Sequence, residues 1–188
     1  MSESITAYHG NLVSEYHEQV PAVRFQPQSS GHMRVHTDRT FQAPLRASWW
    51  IYTRGDMRPG GTSGGENLDG LHVHFGHLGN DMNYNVHLVR RDGNAKIALE
   101  HGLNGYETVS WHTDGGLRLR MWRRYYFELD WLRDSFKLTV HNDNHIGAGK
   151  EKAIIQSELP DHGPKFGQLA WRTDNIVTRF GGLSIQKL

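Results

Sequence analysis

LHVHFGH (Leu71–His77), followed by YNVHLVRR (Tyr84–Arg91), is the stretch that decides the fold. In the first run Leu71, Val73 and Phe75 alternate with His72 and His74; in the second, Tyr84, Val86 and Leu88 alternate with Asn85, His87 and Val89. Successive side chains of a strand point to opposite faces, so each run buries an apolar row and turns a polar row the other way. A third run, KIALEHG, follows the RRDGN turn, with Ile97 and Leu99 pointing in and Lys96, Ala98 and Glu100 pointing out. If the three pair in order, His72, His74, Asn85, His87 and Glu100 share one open surface. That surface is the candidate site.

Working outward, FQAPLRASWWIYT (Phe41–Thr53) is a long alternation. Phe41, Ala43, Leu45, Ala47, Trp49 and Ile51 fall on one side, and Trp50 and Tyr52 on the other. Pro44 cannot donate to a ladder, so the run starts at an edge or changes partner there. Outward Trp50 and Tyr52 could serve as flat platforms for sugar rings, or be aromatics covered by a loop. FELDW and FKLTVH form a hairpin around LRDS: Phe127, Leu129 and Trp131 match Phe136, Leu138 and Val140. IIQSEL reads as a short helix or strand, LRLRMW (Leu117–Trp122) as a strand, and RFGGLSIQKL as the closing strand. Residues 1–38 read as peripheral, with one or two short strands at sheet edges before HMRVHT (His32–Thr37). One domain over residues 1–188 is expected, an all-β antiparallel two-sheet sandwich or jelly roll.

Composition narrows the function classes. Lys plus Arg number 21 against 20 Asp plus Glu, for a formal charge of +1, so no global field attracts nucleic acid or a membrane surface. There are no cysteines, hence no disulfide framework or thiolate metal site. No apolar run approaches the roughly 18 residues of a spanning helix, and MSESITAYHG lacks a signal-segment pattern. The chain as given reads as soluble. The Gly-rich stretch Arg54–Gly70 is a long loop without a phosphate-binding ending, and its Arg-Gly-Asp tripeptide carries little weight.

The order of these segments resembles the concanavalin A-like lectins and glucanases, a superfamily that includes galectins and laminin-G-like domains. The matching features are GLHVHF, YNVHL with its Asp-Gly turn, FELDW/FKLTVH, GQLAW and FGGLSI, over roughly residues 40–188. The resemblance implies a carbohydrate site on the concave sheet, carried by Leu71–Glu100, with Glu128 and Asp130 on the far side. The galectin pattern His-x-Asn-Pro-Arg is replaced by His74-Phe75-Gly76-His77, so galactose specificity does not carry over.

As a glycan site the residues are chemically coherent. Asn85, Glu100 and neutral imidazoles such as His72 offer donors and acceptors to hydroxyls, Trp50 an apolar ring, and Arg91 a partner for a uronate or sulfate. Retaining glycosidases need two carboxyls about 5 Å apart. Glu128-Leu129-Asp130 lacks the second glutamate of the superfamily's cluster, which disfavours that chemistry. A polysaccharide lyase acting on an acidic glycan needs a base and a carboxylate-neutralising group; His74, His87 and Tyr52 are the candidates for catalysis. Glu128 and Asp130 read more simply as a charged row facing Arg118 and Arg120. No metal is expected at the histidines and no cofactor, although a structural calcium could sit at Asn142-Asp143-Asn144 or between Glu66 and Asp69. The alternative is a non-catalytic structural or protein-interaction jelly roll. The expected partner is an oligosaccharide or polysaccharide.

Overall fold

A computed structural model describes residues 3–26, 32–53, 70–79, 82–89, 95–101, 105–112, 123–142, 151–174 and 178–188. Every regular element among them is a strand: β1 Ile5–His9, β2 Asn11–His17, β3 Val20–Gln26, β4 His32–Thr37, β5 Phe41–Gln42, β6 Leu45–Thr53, β7 Gly70–His77 and β8 Met82–Val89. The remainder are β9 Ala95–His101, β10 Gly105–His112, β11 Arg124–Trp131, β12 Ser135–Asn142, β13 Glu151–Glu158, β14 Phe166–Asp174 and β15 Thr178–Lys187. No helix among them is long and apolar enough to cross a membrane.

The strands form two antiparallel sheets. One runs β1-β4-β14-β7-β8-β9-β10 with β5 added on β14; the other runs β13-β12-β11-β6-β15-β3-β2. Their inner rows are the apolar rows of the alternating segments. Trp49 stacks on Phe127 at 5.5 Å and meets Trp171 of the opposite sheet edge-on at 5.3 Å. Phe75 packs across the interface on Trp131 and Phe136 at 5.4 and 5.2 Å. Ring pairs at such offsets add to the stabilisation from area removed from water.

The Phe41–Thr53 run breaks at Ala43–Pro44, as the missing N–H of proline requires. Phe41–Gln42 pairs with β14 in one sheet, whereas Leu45–Thr53 lies between β11 and β15 in the other. IIQSEL lies within strand β13, and the LRDS turn closes through the Leu132 N–H donating to the Ser135 carbonyl at 2.9 Å. The first 38 residues are less peripheral than their weak patterning suggests. They supply four strands, and Phe25, Met33 and Val35 are fully buried in the core. The LRLRMW segment, and with it Arg118 and Arg120, lies outside the described residues. Among the described residues Glu128 and Asp130 meet Arg46, with the Asp130 carboxylate held by Arg46 through 2.5 and 2.7 Å bonds.

One irregularity matters for the site. Between Ala170↔His74 and Gln168↔His77, β7 carries an extra residue relative to β14. Gly76 sits there at φ 65°, with Pro164 and the Trp131 ring against it. An extra residue reverses the side-chain alternation beyond it, and the left-handed backbone suits glycine. His77 is therefore turned onto the face of His72 and His74.

Candidate functional site

The three central segments pair in order: His72 lies opposite His87, His74 opposite Asn85, and Asn83 opposite Glu100. The outer face of this sheet thus gathers His72, His74, Asn83, Asn85, His87 and Glu100. From the other side, Arg172 of β14 lies beside His72, with Arg34 of β4 beyond it.

Glu100 ties the row together. Its Oε1 accepts the Asn85 side-chain N–H at 2.7 Å and its Oε2 accepts that of Asn83 at 3.0 Å. Both amides are thereby oriented, so each Oδ1 must face an imidazole. Asn83 Oδ1 lies 2.6 Å from His74 Nδ1, and Asn85 Oδ1 lies 3.2 Å from His72 Nδ1. An amide oxygen only accepts, so both imidazoles carry a proton on Nδ1 and, when neutral, present Nε2 as an acceptor. His74 Nε2 is buried without a hydrogen-bond partner. Arg34 Nη2 approaches Glu100 Oε2 at 4.0 Å.

The electrostatics disfavour the charged forms of His74 and His77. Burial, then the Arg34 and His72 charges, hold His74 well below the usual histidine range. Burial, followed by Arg34 and His36, pushes His77 down to about 4. Its Nδ1 is also buried without a partner. A histidine whose folded pKa is depressed stabilises the fold above its unfolded value, and that stability is lost as pH falls towards the folded value. For His77 the window runs from about 6.5 to about 4, and the loss is on the order of 2–3 kcal/mol. In urea unfolding at pH 7 and pH 4, His77→Gln is expected to lose less stability between the two than the parent does. An equal loss in both proteins would contradict the assignment.

The face is not the open trough that alternation alone suggests. His72, His74, Asn83 and Asn85 are at most 7% exposed. The imidazoles lie nearly parallel, His72 on His87 at 3.9 Å and His72 beside His74 at 5.9 Å. The accessible part is at Glu100, whose side chain is 29% exposed, and at its cross-strand neighbour Tyr106, 65% exposed. Lys96 Nζ stands 3.8 Å from the Tyr106 ring centroid.

The two-sheet fold has counterparts among solved structures. Carbohydrate-binding module CBM66 from Bacillus subtilis matches with a TM-score of 0.66 at 9% identity, covering 97% of this chain and 95% of that one. A Bacillus subtilis protein of unknown function with a galectin-like fold matches with a TM-score of 0.65 at 11% identity, covering 97% and 89%. The exoplasmic/lumenal domain of VIP36, in its Ca2+/Man3GlcNAc-bound form, matches at 0.61 and 9% identity, covering 98% and 86%. The fold is a concanavalin A-like jelly roll. No protein-family model and no curated protein matches the sequence.

Within this jelly roll the sequence-derived site residues separate into two groups. His72, His74, Asn85, His87 and Glu100 come together on one face. Trp50 and Tyr52 do not: β6 belongs to the opposite sheet, and both point away from the core there. Their ring faces meet other groups. Arg124 lies 4.9 Å from the Trp50 ring, and His17 lies 4.1 Å from the Tyr52 ring. Gly181 and Gly182 let the indole lie close to the backbone of β15, since a Cβ on Gly181 would fall 2.5 Å from the ring. Neither aromatic can serve the site face. Arg91, the Glu66–Asp69 calcium candidate and all of the Asn142-Asp143-Asn144 candidate but Asn142 lie outside the described residues. Sequence reasoning missed Asn83, His77, Arg34, Arg172 and Tyr106. Asn83 shares the parity of Asn85 and was readable; the others depend on a bulge or on strands distant in sequence.

Proposed function

We propose that this jelly roll binds carbohydrate on the outer face of the β4-β14-β7-β8-β9-β10 sheet, entering at Glu100 and Tyr106. The observation that carries this reading is Glu100 itself: partly exposed, it accepts two amides and keeps further lone pairs for hydroxyl donors. Vicinal sugar hydroxyls need such a fixed acceptor, and the exposed Tyr106 ring offers an apolar surface for the CH face of a pyranose. Behind Glu100, His74 fixes the Asn83 amide through its Nδ1 proton. Supporting the reading, CBM66 is a carbohydrate-binding module and VIP36 carries Man3GlcNAc in its structure.

The test is a glycan array followed by calorimetry on the retained sugar. Tyr106→Ala should weaken binding about ten-fold, equivalent to about 1.4 kcal/mol, with an unchanged melting temperature. Retention of no glycan, or full affinity in the variant, would overturn the reading.

Lyase chemistry on an acidic glycan is the finer reading. It would fall to His74 or His87, because Tyr52 is on the opposite sheet. Incubation with uronate polymers would then generate an unsaturated product that absorbs in the ultraviolet; binding without that product leaves a lectin-like role. If the face instead served protein assembly, the chain would form a stable oligomer that buries Tyr106 and would retain no sugar.

A further inference from the structure

A second group of metal-ligand type lies away from that network, at the sheet edge formed by β9 and β10. We propose that His101, Glu107 and His162 hold one divalent transition-metal ion, Zn2+ by preference among the common cellular ions. His162 Nε2 lies 3.1 Å from Glu107 Oε2, and His101 Nε2 lies 3.8 Å from the same oxygen. The ligand atoms of the three residues all fall within 4.8 Å of one another. Tetrahedral zinc with bonds of 2.0–2.1 Å requires donor-to-donor separations of about 3.3 Å, so small rotations of exposed side chains close the set. The two imidazole rings are nearly parallel, 11° apart with centroids 6.1 Å from each other, and both present Nε2 to the carboxylate.

The three ligands come from separately anchored segments. His101 ends β9 and pairs with Gly105 at the start of β10, two residues before Glu107. His162 lies in the crossing between β13 and β14. That crossing is fixed by the Gly163 N–H donating to the Pro160 carbonyl at 3.0 Å and by the Tyr84 hydroxyl donating to the same oxygen at 3.3 Å. Gly163 lies so close over the Tyr84 ring that a Cβ there would fall 1.7 Å from the hydroxyl oxygen. A bound ion would therefore clip the inter-sheet crossing to the β9–β10 edge.

Two imidazoles and one carboxylate select zinc, copper or nickel over calcium and magnesium, which take oxygen ligands. With three protein ligands, at least one coordination position stays open to water or to an anionic ligand.

The experiment is calorimetric titration of the full chain with Zn2+, with Ca2+ and Mg2+ as controls, alongside thermal unfolding. One equivalent of Zn2+ should bind and raise the unfolding midpoint, and neither control ion should do so. His162→Ala and Glu107→Gln should each weaken that binding by at least the 10–100-fold that losing even an outer partner of a metal site costs. Both residues are exposed, and Glu107→Gln conserves shape, so circular dichroism without metal should match the parent. Absence of Zn2+ binding would overturn the proposal. So would undiminished binding in both variants, which would place the ion among other histidines of the chain.

Discussion

Glu100→Gln is expected to lower affinity for the retained glycan about 100-fold although it changes one atom. The carboxylate accepts from Asn85 Nδ2 on one oxygen and from Asn83 Nδ2 on the other. A glutamine must set its own NH2 against one of those amides. One asparagine then turns over or loses its partner, and the imidazole beyond it, His72 or His74, loses the oxygen that fixes its proton on Nδ1. Hydrogen bonds to charged groups contribute about 1.5–3 kcal/mol, and a buried donor left unpaired costs about 1–3 kcal/mol. The variant should therefore also lose about 1–3 kcal/mol of stability in denaturant titration. Calorimetry with the array-selected sugar reads the affinity. Parent affinity in Glu100→Gln would mean that the network is structural and that the sugar binds elsewhere.

Gly167→Ala is the substitution expected to damage the fold most, by at least about 3 kcal/mol. A Cβ at this position would fall 2.4 Å from the Gly76 carbonyl carbon and 2.7 Å from both Gly76 Cα and His77 N. These are backbone atoms of the neighbouring strand, so no side-chain rotation relieves the contact. The strands must separate at the bulge that places His77 on the site face. Urea unfolding should show the loss. Gly79→Ala is a control for left-handed backbone without crowding: Gly79 has φ 71°, but an added methyl there would meet nothing within 4 Å. It should cost far less. Equal losses at the two positions would mean that backbone conformation, rather than contact with β7, decides the effect.

The parts of this molecule that obey strict alternation were legible in the chain. Leu71–His77, Tyr84–Val89 and Lys96–Glu100 each hold one parity over the residues that matter, and antiparallel neighbours in sequence pair without long-range information. That suffices to bring three imidazoles, an amide and a carboxylate together, and to match Phe127, Leu129 and Trp131 with Phe136, Leu138 and Val140. Parity does not say to which sheet a strand belongs. Trp50 and Tyr52 point outward as their alternation requires, but β6 pairs with β11 and β15, so they face away from the site.

A second limit is local. The extra residue at Gly76 reverses the alternation, and a continuous period of two would have put His77 in the core beside Phe75. Glycine inside a strand pattern is itself a bulge signal, so this much was recoverable. Arg34 and Arg172 were not, because β4 and β14 lie far from β7 in the chain and meet it only through long-range pairing. The expected openness failed for a related reason. Alternation orients each row but does not count the neighbours that close over it.

In the proposed reading Glu100 receives the sugar at the exposed mouth of the row, and Asn83 and Asn85 sense it through the carboxylate they share. The most direct measurement is a titration of isotope-labelled protein with the array-selected glycan, following the Asn83 and Asn85 side-chain amides and the imidazole nitrogens of His72 and His74. Saturable shifts at both side-chain amides, with Nδ1 of His72 and His74 staying protonated, are the predicted result. Shifts confined to Trp50, Tyr52 and their neighbours on the opposite sheet, with these signals unmoved, would contradict it.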